Sequence, residues 1–569
     1  MDVAEASFNE IISQARTQFV VPIWQRMYSW EKKEWIDLLD DLLNLYEKLQ
    51  KKEQAEHFMG SIVVKTVEEK VGEITRRVLI DGQQRLTTLL LLCALIRNRA
   101  RIEGNDNLAN EIEDSLLFNK YAKGADDKPK LRPTEADRKL FERIISGEPL
   151  EDFSEESQLY YAYIFFDSRL FDEVKDKISI EELLKCVRKL KIVTIRLDVE
   201  DNPNRIFETL NYRGKELAQS DLIRNYFMMA IKDDAKASKI YSDLWFPMQQ
   251  NLGSSTLERI GNLELFFRHY IIMNKNEVVK ENQVFAEVRD SLKYLDEPKV
   301  ISELKKIKRY SEYYERLLYP DREENAKISE GLNRLNILKI GVHYPFLLKV
   351  YNGYKKGNIT VDEFCTILSI IESYVVRRFF YRLPTNSLNR LFAGCCGLGD
   401  ENLVDSLQNE LLSKQSWSAQ YWPTDEEFVE KFCTVPVYDL SYSKCRLVLE
   451  TLEKSLGHPE EVNLQNLTIE HVMPETLSEE WKKHLGDDWA RIFTTYLHTI
   501  GNLTLIAGPP NSTIQNKLFL EKKSEWYIHS NVGLTRELAH NWNKWTENEI
   551  SERAAMLADR AVKIWWRPE

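Results

Sequence analysis

The C-terminal part of the chain carries three short segments that fix a local fold. They are Leu467-Thr-Ile-Glu-His471-Val-Met-Pro474, His498-Thr-Ile-Gly-Asn502-Leu-Thr-Leu-Ile506 and Asn511-Ser-Thr-Ile-Gln-Asn516. The runs 467–472 and 503–506 are β-branched and apolar, which predicts two short strands. The run from Ser512 to Trp526 is compatible with a helix. The pattern therefore predicts the order strand, strand, helix, with a histidine at the end of the first strand.

A histidine in this place can deprotonate water, because an ordinary imidazole pKa of about 6.5 leaves it neutral at physiological pH. An oxygen-donor set drawn from Glu470, Asn511 and Asn516 suits Mg²⁺, a hard cation that keeps several waters and takes up substrate phosphate. Such a cation neutralises charge that develops on a leaving oxygen. The alternative is that His471 is an ordinary half-buried histidine and the asparagines are turn and N-cap residues.

This pattern of His-x-x-Pro, Gly-Asn-Leu-Thr-Leu and a downstream asparagine pair resembles the HNH-type ββα-metal nucleases. Its specific form is similar to the C-terminal domain of the GmrSD-type restriction endonucleases. The resemblance implies that His471 is the general base and that Asn502 orients it or the scissile phosphate. It selects Asn511 as the helix-borne metal ligand, with Asn516 as a second candidate. Glu470 stands where many members carry Asp.

Length and composition describe an ordinary globular protein of several domains. At ~100–200 residues per domain, 569 residues predict about three domains. Hydrophobic residues make up 43% and charged residues 30%, which disfavours disorder and a membrane location. The longest apolar run, Leu86–Ile96, is shorter than the ~20 residues of a membrane span and predicts a buried helix. The N-terminus lacks basic and apolar leader segments, which predicts a cytoplasmic location.

Cysteine spacing and charge exclude further classes. The seven cysteines are scattered without a Cys-x-x-Cys pair, which argues against a zinc finger and a secreted disulfide framework. The net charge of −12 argues against non-specific coating of DNA. A nucleic-acid surface must therefore be local, and Arg377, Arg378 and Arg382 among aromatics are candidates for it. The alternative is that these aromatics pack in a core while the arginines are solvated.

The N-terminal third contains a second group of motifs. Its three segments are Pro22-Ile-Trp24-Gln25-Arg26, Asp81-Gly82-Gln83-Gln84-Arg85 and Asn211-Tyr-Arg213-Gly214. The middle segment follows a predicted hairpin, 57–67 with 73–80, and opens the apolar helix. Such a helix N-terminus binds anions through free backbone N–H groups, and an arginine there can clamp a phosphate. The structural alternative is that Asp81 caps the helix and Gln84 completes a capping box.

Together the three segments resemble the N-terminal domain of the same family, which is similar to ParB and sulfiredoxin folds. The resemblance implies nucleoside triphosphate binding without a P-loop, and no Gly-x4-Gly-Lys-Ser/Thr motif occurs in the chain. It implies that Trp24 or Tyr28 stacks on the base. The residues that it places around the nucleotide are Gln25, Arg26, Asp81, Gly82, Gln83, Gln84, Arg85, Asn211 and Arg213.

The expected fold is mainly α with α+β ends. It comprises a ParB/sulfiredoxin-like nucleotide-binding domain at 1–230, a helical connector at 231–455 and an HNH-like nuclease domain at 456–569. Within the first domain, Lys191–Leu197 is predicted to be a strand.

The expected function is an NTP-regulated endonuclease of an anti-phage defence system that uses Mg²⁺ or Mn²⁺ and cleaves foreign or modified DNA. NTP hydrolysis and homo-oligomer formation are left open, and no membrane partner is expected. One alternative is a ParB-like nucleotide-dependent sensor of DNA or a protein partner, with an inactive nuclease-like domain, which Glu470 in place of Asp favours. Another is a non-specific or RNA-directed toxin nuclease.

Overall fold

The computed structural model describes residues 2–52, 55–66, 73–150, 157–170, 177–198, 218–253, 256–457, 462–507 and 516–569. Within these ranges the chain is mainly helical, with one sheet near each end, which confirms the expected mainly α class with α+β ends. The chain forms two compact units. The first comprises Met1–Gln249 with Phe285–Lys305, and the second comprises Gln250–Val284 with Lys306–Glu569.

The first unit contains a six-stranded mixed sheet. Its strands are β1 (Asp2–Ser7), β2 (Thr17–Val20), β3 (Phe58–Thr66), β4 (Thr75–Asp81), β5 (Leu131–Arg132) and β6 (Lys191–Leu197). Their order in the sheet is β1-β6-β3-β4-β2-β5. The predicted hairpin is confirmed as the antiparallel pair β3 and β4, and the predicted strand 191–197 is β6. The strands β1, β2 and β5 are short or polar and were not predicted.

Helices surround this sheet and supply most of the first unit's core. Those that begin before residue 252 are Phe8–Ile12, Lys32–Gln50, Gln83–Ile102, Asp106–Ile112, Glu135–Ser146, Gln158–Arg169, Ile180–Lys189, Gln219–Met229, Asp234–Ile240 and Phe246–Asn251. The helix Gln83–Ile102 is the predicted apolar one, and Leu89 and Leu92 are fully buried in it. A helix that is apolar on all sides is stable only inside a protein, so this one forms the centre of the unit.

The junction between β4 and the helix Gln83–Ile102 depends on a glycine. Gly82 is the N-cap residue and has a φ of +90°, a left-handed conformation that side chains rarely adopt. A Cβ at this position would lie 2.6 Å from Cγ2 of Ile62. No side chain caps this helix, so the alternative of Asp81 and Gln84 as a capping box is wrong. The chain turns here because glycine alone fits both the angle and the space.

The second unit is built mainly of helices. From residue 252 onward the helices are Thr256–Lys275, Val284–Leu292, Glu297–Leu318, Ala326–Ile337, Tyr344–Lys355, Val361–Phe380, Leu388–Cys395, Leu403–Leu412, Asp425–Thr434, Val437–Leu440, Tyr442–Lys454, Glu479–Leu485, Trp489–Tyr496, Phe519–Glu525, Gly533–Asn541 and Glu547–Ile564. Of these, Val284–Leu292 from Phe285 on and Glu297–Leu318 up to Lys305 belong to the first unit. In the described ranges, no helix is both long and apolar enough to cross a lipid bilayer. All seven cysteines are free thiols.

The C-terminal sheet has two antiparallel strands, β7 (Leu467–His471) and β8 (Leu503–Ala507), with His471 opposite Leu503. Both strands were predicted. The helix that follows was predicted from Ser512, but residues 516–518 are not helical and the described helix starts at Phe519. Leu518 is extended, with a ψ of 156°, so the helix cannot continue back through it. Asn511 lies outside the described residues.

We expect Gly82→Ala to lower the free energy of unfolding of the first unit by about 3 kcal/mol, because a left-handed alanine costs about 1–2 kcal/mol and the clash with Ile62 adds to it. Gly104→Ala is the matched control. Gly104 has a φ of +76°, but nothing lies within 4 Å of its added Cβ, so only the backbone cost remains. Urea unfolding of both variants measures the difference, and equal destabilisation would contradict the tight contact.

Candidate functional site

His471 ends β7 in a buried position, with 8% of its surface exposed. Its Nε2 lies 3.1 Å from Nδ1 of His498, which makes a hydrogen bond between the two rings. Nε2 of His498 lies 3.4 Å from Oδ1 of Asp439. The Tyr438 ring stacks on His498 at 5.4 Å and meets His471 edge-on at 4.6 Å between centroids. Neighbouring groups thus hold both imidazole rings in place.

Glu475 adds a carboxylate to this group, with Oε1 3.9 Å from Nδ1 of His471. Its side chain is 57% exposed. Donor atoms of His471, Glu475 and His498 all lie within 4.8 Å of one another, a spacing that could hold a metal ion. Sequence reasoning missed the roles of Glu475 and His498. Both were visible, since Glu475 follows the His-x-x-Pro motif and His498 opens the segment that contains Asn502.

The partners of the two rings favour one arrangement of protons. A carboxylate only accepts hydrogen bonds, so Nε2 of His498 carries its hydrogen toward Asp439 and leaves Nδ1 of His498 as an acceptor. Nε2–H of His471 then donates to that Nδ1. In this arrangement the lone pair on Nδ1 of His471 faces the side on which Glu475 lies. Nδ1 of His471 is therefore the basic atom of the site.

Burial, the electrostatic effect of His498 and the positive charge of Lys522 together lower the pKa of His471 to about 3, and burial is the largest of the three causes. The imidazole is consequently neutral at pH 7 and can accept a proton without first losing one. A low pKa also weakens a base. An anionic phosphate bound beside the ring would raise the pKa, since opposite charge stabilises the imidazolium.

Glu470, predicted as a metal ligand, forms a buried ion pair instead. Its Oε1 accepts a hydrogen bond from Nζ of Lys522 at 2.7 Å, and the Lys522 side chain is fully buried. The same ammonium donates to the backbone oxygens of His471 at 3.0 Å and Val472 at 3.1 Å. Successive side chains of a strand point to opposite faces, which separates Glu470 from the His471 ring. The structure therefore corrects the ligand assignment of Glu470.

Asn502 is fully buried, and in the described part of the chain none of its side-chain hydrogen bonds goes to the His471 ring. Its Oδ1 accepts from the backbone N–H of Met473 at 2.8 Å and from the Trp545 indole at 3.0 Å. Its Nδ2 donates to the backbone oxygens of Met473 at 3.0 Å and Leu497 at 2.9 Å. The prediction that Asn502 orients the ring or the phosphate directly is thus corrected. Asn502 fixes the backbone on both sides of the site instead.

Asn516 is exposed and lies in the turn before the helix Phe519–Glu525. Its predicted ligand role stays a prediction, as does that of Asn511 outside the described residues. The structure shows that a carboxylate, Glu475, lies beside His471.

The predicted DNA contacts of Arg377 and Arg378 are wrong, because both side chains are buried. Arg377 donates to the backbone oxygens of Trp565 and Pro423 and pairs with Asp425 at 2.6 Å. Arg378 donates to three backbone oxygens, those of Tyr421, Pro384 and Ala419. The alternative of solvated arginines is equally wrong. Arg382 is exposed, so its predicted role stays open.

In the first unit, three predicted glutamines join the loop after β2 to the β4–helix junction. Nε2 of Gln25 donates to Ile80 O at 3.1 Å, and Nε2 of Gln83 donates to Arg26 O at 3.1 Å. Gln84 donates to Met27 O at 3.2 Å and accepts from Ser29 N at 2.9 Å. These amides shape the site, and their bonded groups are not free for a ligand.

Aromatic stacking in this loop is corrected as well. Trp24 and Tyr28 are each 5% exposed, so neither offers an open face to a base. The Tyr28 hydroxyl lies 2.7 Å from Oγ1 of Thr88 and accepts from the Trp35 indole at 3.0 Å. Both aromatic rings therefore belong to the interior of the unit.

Three arginines remain at the same junction. Arg85 donates to Ser61 O at 3.0 Å and lies 4.0 Å from Asp81. Burial lowers the pKa of Arg26, while Asp221 and Asp81 raise it and Arg224 lowers it. Arg224 pairs with Asp221 at 2.9 Å. Glu34 raises the pKa of Arg26 as well, so three guanidinium groups and three carboxylates lie beside a helix N-terminus. Asn211 and Arg213 lie outside the described residues.

Family models of restriction endonuclease domains match both ends of the chain. A model described as the GmrSD restriction endonuclease N-terminal domain matches residues 8–228, and one described as the C-terminal domain of GmrSD restriction endonucleases matches residues 422–560. The chain therefore belongs to the GmrSD-type restriction endonuclease family. DNA is accordingly its partner. Comparison with curated proteins gives no match.

We expect Lys522→Met to destabilise the second unit by about 3–5 kcal/mol, because it leaves the Glu470 carboxylate buried without a cation. The double variant Glu470→Leu with Lys522→Met should recover most of that loss, since replacing a buried ion pair by apolar side chains is often neutral. Urea unfolding of the wild type, both single variants and the double variant measures the coupling. Additive losses would mean that the two residues do not act as a pair.

Proposed function

We propose that this protein is an endonuclease that hydrolyses DNA phosphodiester bonds with His471 as the general base, under the control of a nucleoside triphosphate. One observation carries the proposal. The chain from Asp439 through His498 fixes the His471 ring in a neutral form with Nδ1 as its basic atom. A buried imidazole held in this way is prepared to take a proton from water.

Each residue around His471 contributes a definite part. His498 and Asp439 hold the proton on Nε2 of His471 and stabilise the imidazolium that forms when Nδ1 accepts a second proton. Asn502 and Lys522 fix the backbone that carries the ring. The substrate phosphate would bring negative charge beside Nδ1 and so raise the pKa of His471 when substrate is bound.

A divalent cation, Mg²⁺ or Mn²⁺, belongs to the proposal, and the residues present fit one. Glu475 is an exposed carboxylate beside the basic histidine. Among the described residues it forms no ion pair with a lysine or an arginine. It would hold the cation, and the asparagines 511 and 516 are further candidates. When bound, the cation would neutralise charge on the phosphodiester oxygens. A hard cation accepts such oxygen ligands together with several waters.

A second candidate function is a nucleotide-dependent sensor whose nuclease-like domain binds DNA without cleaving it. The observation that favours it is the buried pair of Glu470 with Lys522. By the family resemblance, Glu470 stands where many members carry Asp. Its carboxylate forms an ion pair with Lys522 and is therefore not free to bind a metal ion. Cleavage in a purified system separates the two functions.

We expect His471→Ala to reduce DNA cleavage by about 10²–10⁴-fold while cation affinity stays unchanged, because a general base is lost but no ligand is. Plasmid cleavage with Mg²⁺ or Mn²⁺ gives the rate, and calorimetric titration with Mn²⁺ gives the affinity. His540→Ala, which removes an exposed histidine of the same unit, is the control and should keep full activity.

Glu475→Gln should lower both the cation affinity and the rate. Loss of Mn²⁺ affinity in His471→Ala would make His471 a ligand instead of the base. A wild type that is inactive under every cation and nucleotide condition would favour the sensor.

The nucleotide part of the proposal rests on the first unit. Arg26, Arg85 and Arg224 lie among the carboxylates of Asp81, Asp221 and Glu34, and the N-terminus of the 20-residue helix Gln83–Ile102 faces the same junction. Unpaired backbone N–H groups and the helix dipole favour anions there. Arg85 is half-buried, so its charge-assisted hydrogen bonds to a phosphate would be stronger than at an open surface.

We expect Arg85→Ala to reduce the affinity for nucleoside triphosphate at least tenfold, because hydrogen bonds to charged groups contribute about 1.5–3 kcal/mol. Calorimetric titrations with ATP, GTP, CTP and UTP test this, with melting curves as the check on folding. Arg76→Ala is the matched control, since Arg76 lies on β4 but is half exposed and pairs with Asp127. Equal affinities in the Arg85 variant and the wild type would leave Arg85 a structural residue.

A further inference from the structure

A cavity of about 200 Å³ lies in the second unit, where the helix Val361–Phe380 ends and the segment 437–444 begins to pack against it. Its described lining is cationic, apolar or hydroxyl-bearing and includes no carboxylate. Arg382, Lys444 and Arg378 supply the positive groups, and Phe379, Leu440 and Thr385 are among the others. At ~30 Å³ per water, this space holds a phosphate group with several waters.

The ammonium group of Lys444 is held by an aromatic ring and pairs with no carboxylate among the described residues. Its Nζ lies over the Phe379 ring, 4.7 Å from the centroid. Burial lowers the pKa of Lys444, and the nearby Lys339 lowers it further. Lys444 also lies in the first turn of the helix Tyr442–Lys454, where the positive end of the helix dipole disfavours a cation. Three separate effects thus oppose its charge.

No described carboxylate compensates for this charge. Lys339, Arg382 and Lys444 form no ion pair within the described part of the chain, whereas nearby Arg377 pairs with Asp425. Arg378 donates its hydrogen bonds to backbone oxygens, which carry no full charge. Lys339 and Arg382 end helices in left-handed conformations, with φ of 53° and 59°. The helix dipole favours cations at such ends, but it gives no account of Lys444.

One short segment contributes to both the cavity and the histidine site. Leu440 lines the cavity, and two residues earlier Tyr438 packs edge-on against His471. Asp439, between them, lies 3.4 Å from His498. Because only two residues of chain separate Leu440 from Tyr438, neighbouring phosphates of one strand are suitable ligands for the two sites.

We propose that the cavity between Arg382 and Lys444 binds a phosphodiester group of the DNA strand next to the one that His471 attacks. An anion there balances the charges of Lys444, Lys339 and the arginines of the cavity, none of which pairs with a described carboxylate. The inference rests on the proposed nuclease function for its ligand, but the cavity and its uncompensated charge are independent of cleavage. It also provides a local positive site in a chain of net charge −12.

Salt dependence of DNA binding tests this inference. The full chain is titrated with a fluorescent 30-base-pair duplex in EDTA, so that cation-dependent cleavage does not intervene. Loss of one phosphate contact should reduce the slope of log affinity against log salt by about 0.9, or roughly eightfold in affinity at 0.1 M salt. We expect this from Lys444→Gln and from Arg382→Gln. Lys356→Gln, which removes an exposed lysine of the same unit, should leave the slope unchanged.

A second measurement uses inorganic phosphate as the probe. Phosphate at constant ionic strength should raise the melting temperature of the wild type but not of Lys444→Gln. In chloride, the variant should stay folded and melt close to the wild type, because removal of a charge that burial and Lys339 disfavour offsets the loss of the contact between Nζ and the Phe379 ring. An unchanged DNA slope in a folded Lys444→Gln overturns the inference. Phosphate stabilisation with an unchanged DNA slope also overturns it, since the cavity then binds free anions only.

Failure of the proposed function gives a different result. If the wild type binds the duplex with a salt slope that depends on Lys444 but never cleaves it, the phosphate-binding inference is supported and the nuclease proposal is contradicted.

Discussion

The ammonium group of Lys522 is the interaction on which the C-terminal site depends. It is fully buried, and it bonds the Glu470 carboxylate together with the backbone oxygens of His471 and Val472. A buried cation is stable only when all of its hydrogens are bonded, so the helix that carries it cannot move away from β7. The backbone of His471 is thereby fixed from one face of the strand, while His498 fixes the ring from the other. Lys522 thus fixes the backbone position of His471, while His498 determines which ring nitrogen of His471 carries the hydrogen.

Side chains that look functional in sequence divide here into two groups. The amides of Gln25, Gln84 and Asn502 bond backbone groups and hold loops at the edge of each site. Charged groups such as Arg85 and Glu475 remain accessible beside them. An amide can donate and accept at once, which suits it to joining two backbone segments. A motif can therefore be specific to a family although only part of it touches a ligand.

Electrostatics in this protein are local. The net charge of −12 opposes general attraction to DNA, yet Lys444 and Arg382 line one cavity without a carboxylate. Nearby in sequence, Arg377 pairs with Asp425, and the Arg378 guanidinium is occupied by backbone oxygens that it bonds. Counting basic residues along the chain cannot separate these cases, because burial and partners decide which charge is available.

The sequence by itself determined several of the strands, the central apolar helix and the motifs that the chain shares with its family. Apolar runs and β-branched residues predicted β3, β4, β6, β7, β8 and the helix Gln83–Ile102, because these patterns act within a few residues. It also placed His471 at the end of its strand. Tertiary structure alone decided the partners. Glu470 turned to Lys522, 52 residues away, and His471 met His498 and Tyr438. Alternation along a strand assigns side chains to opposite faces, but what covers each face depends on distant segments, which no local pattern encodes.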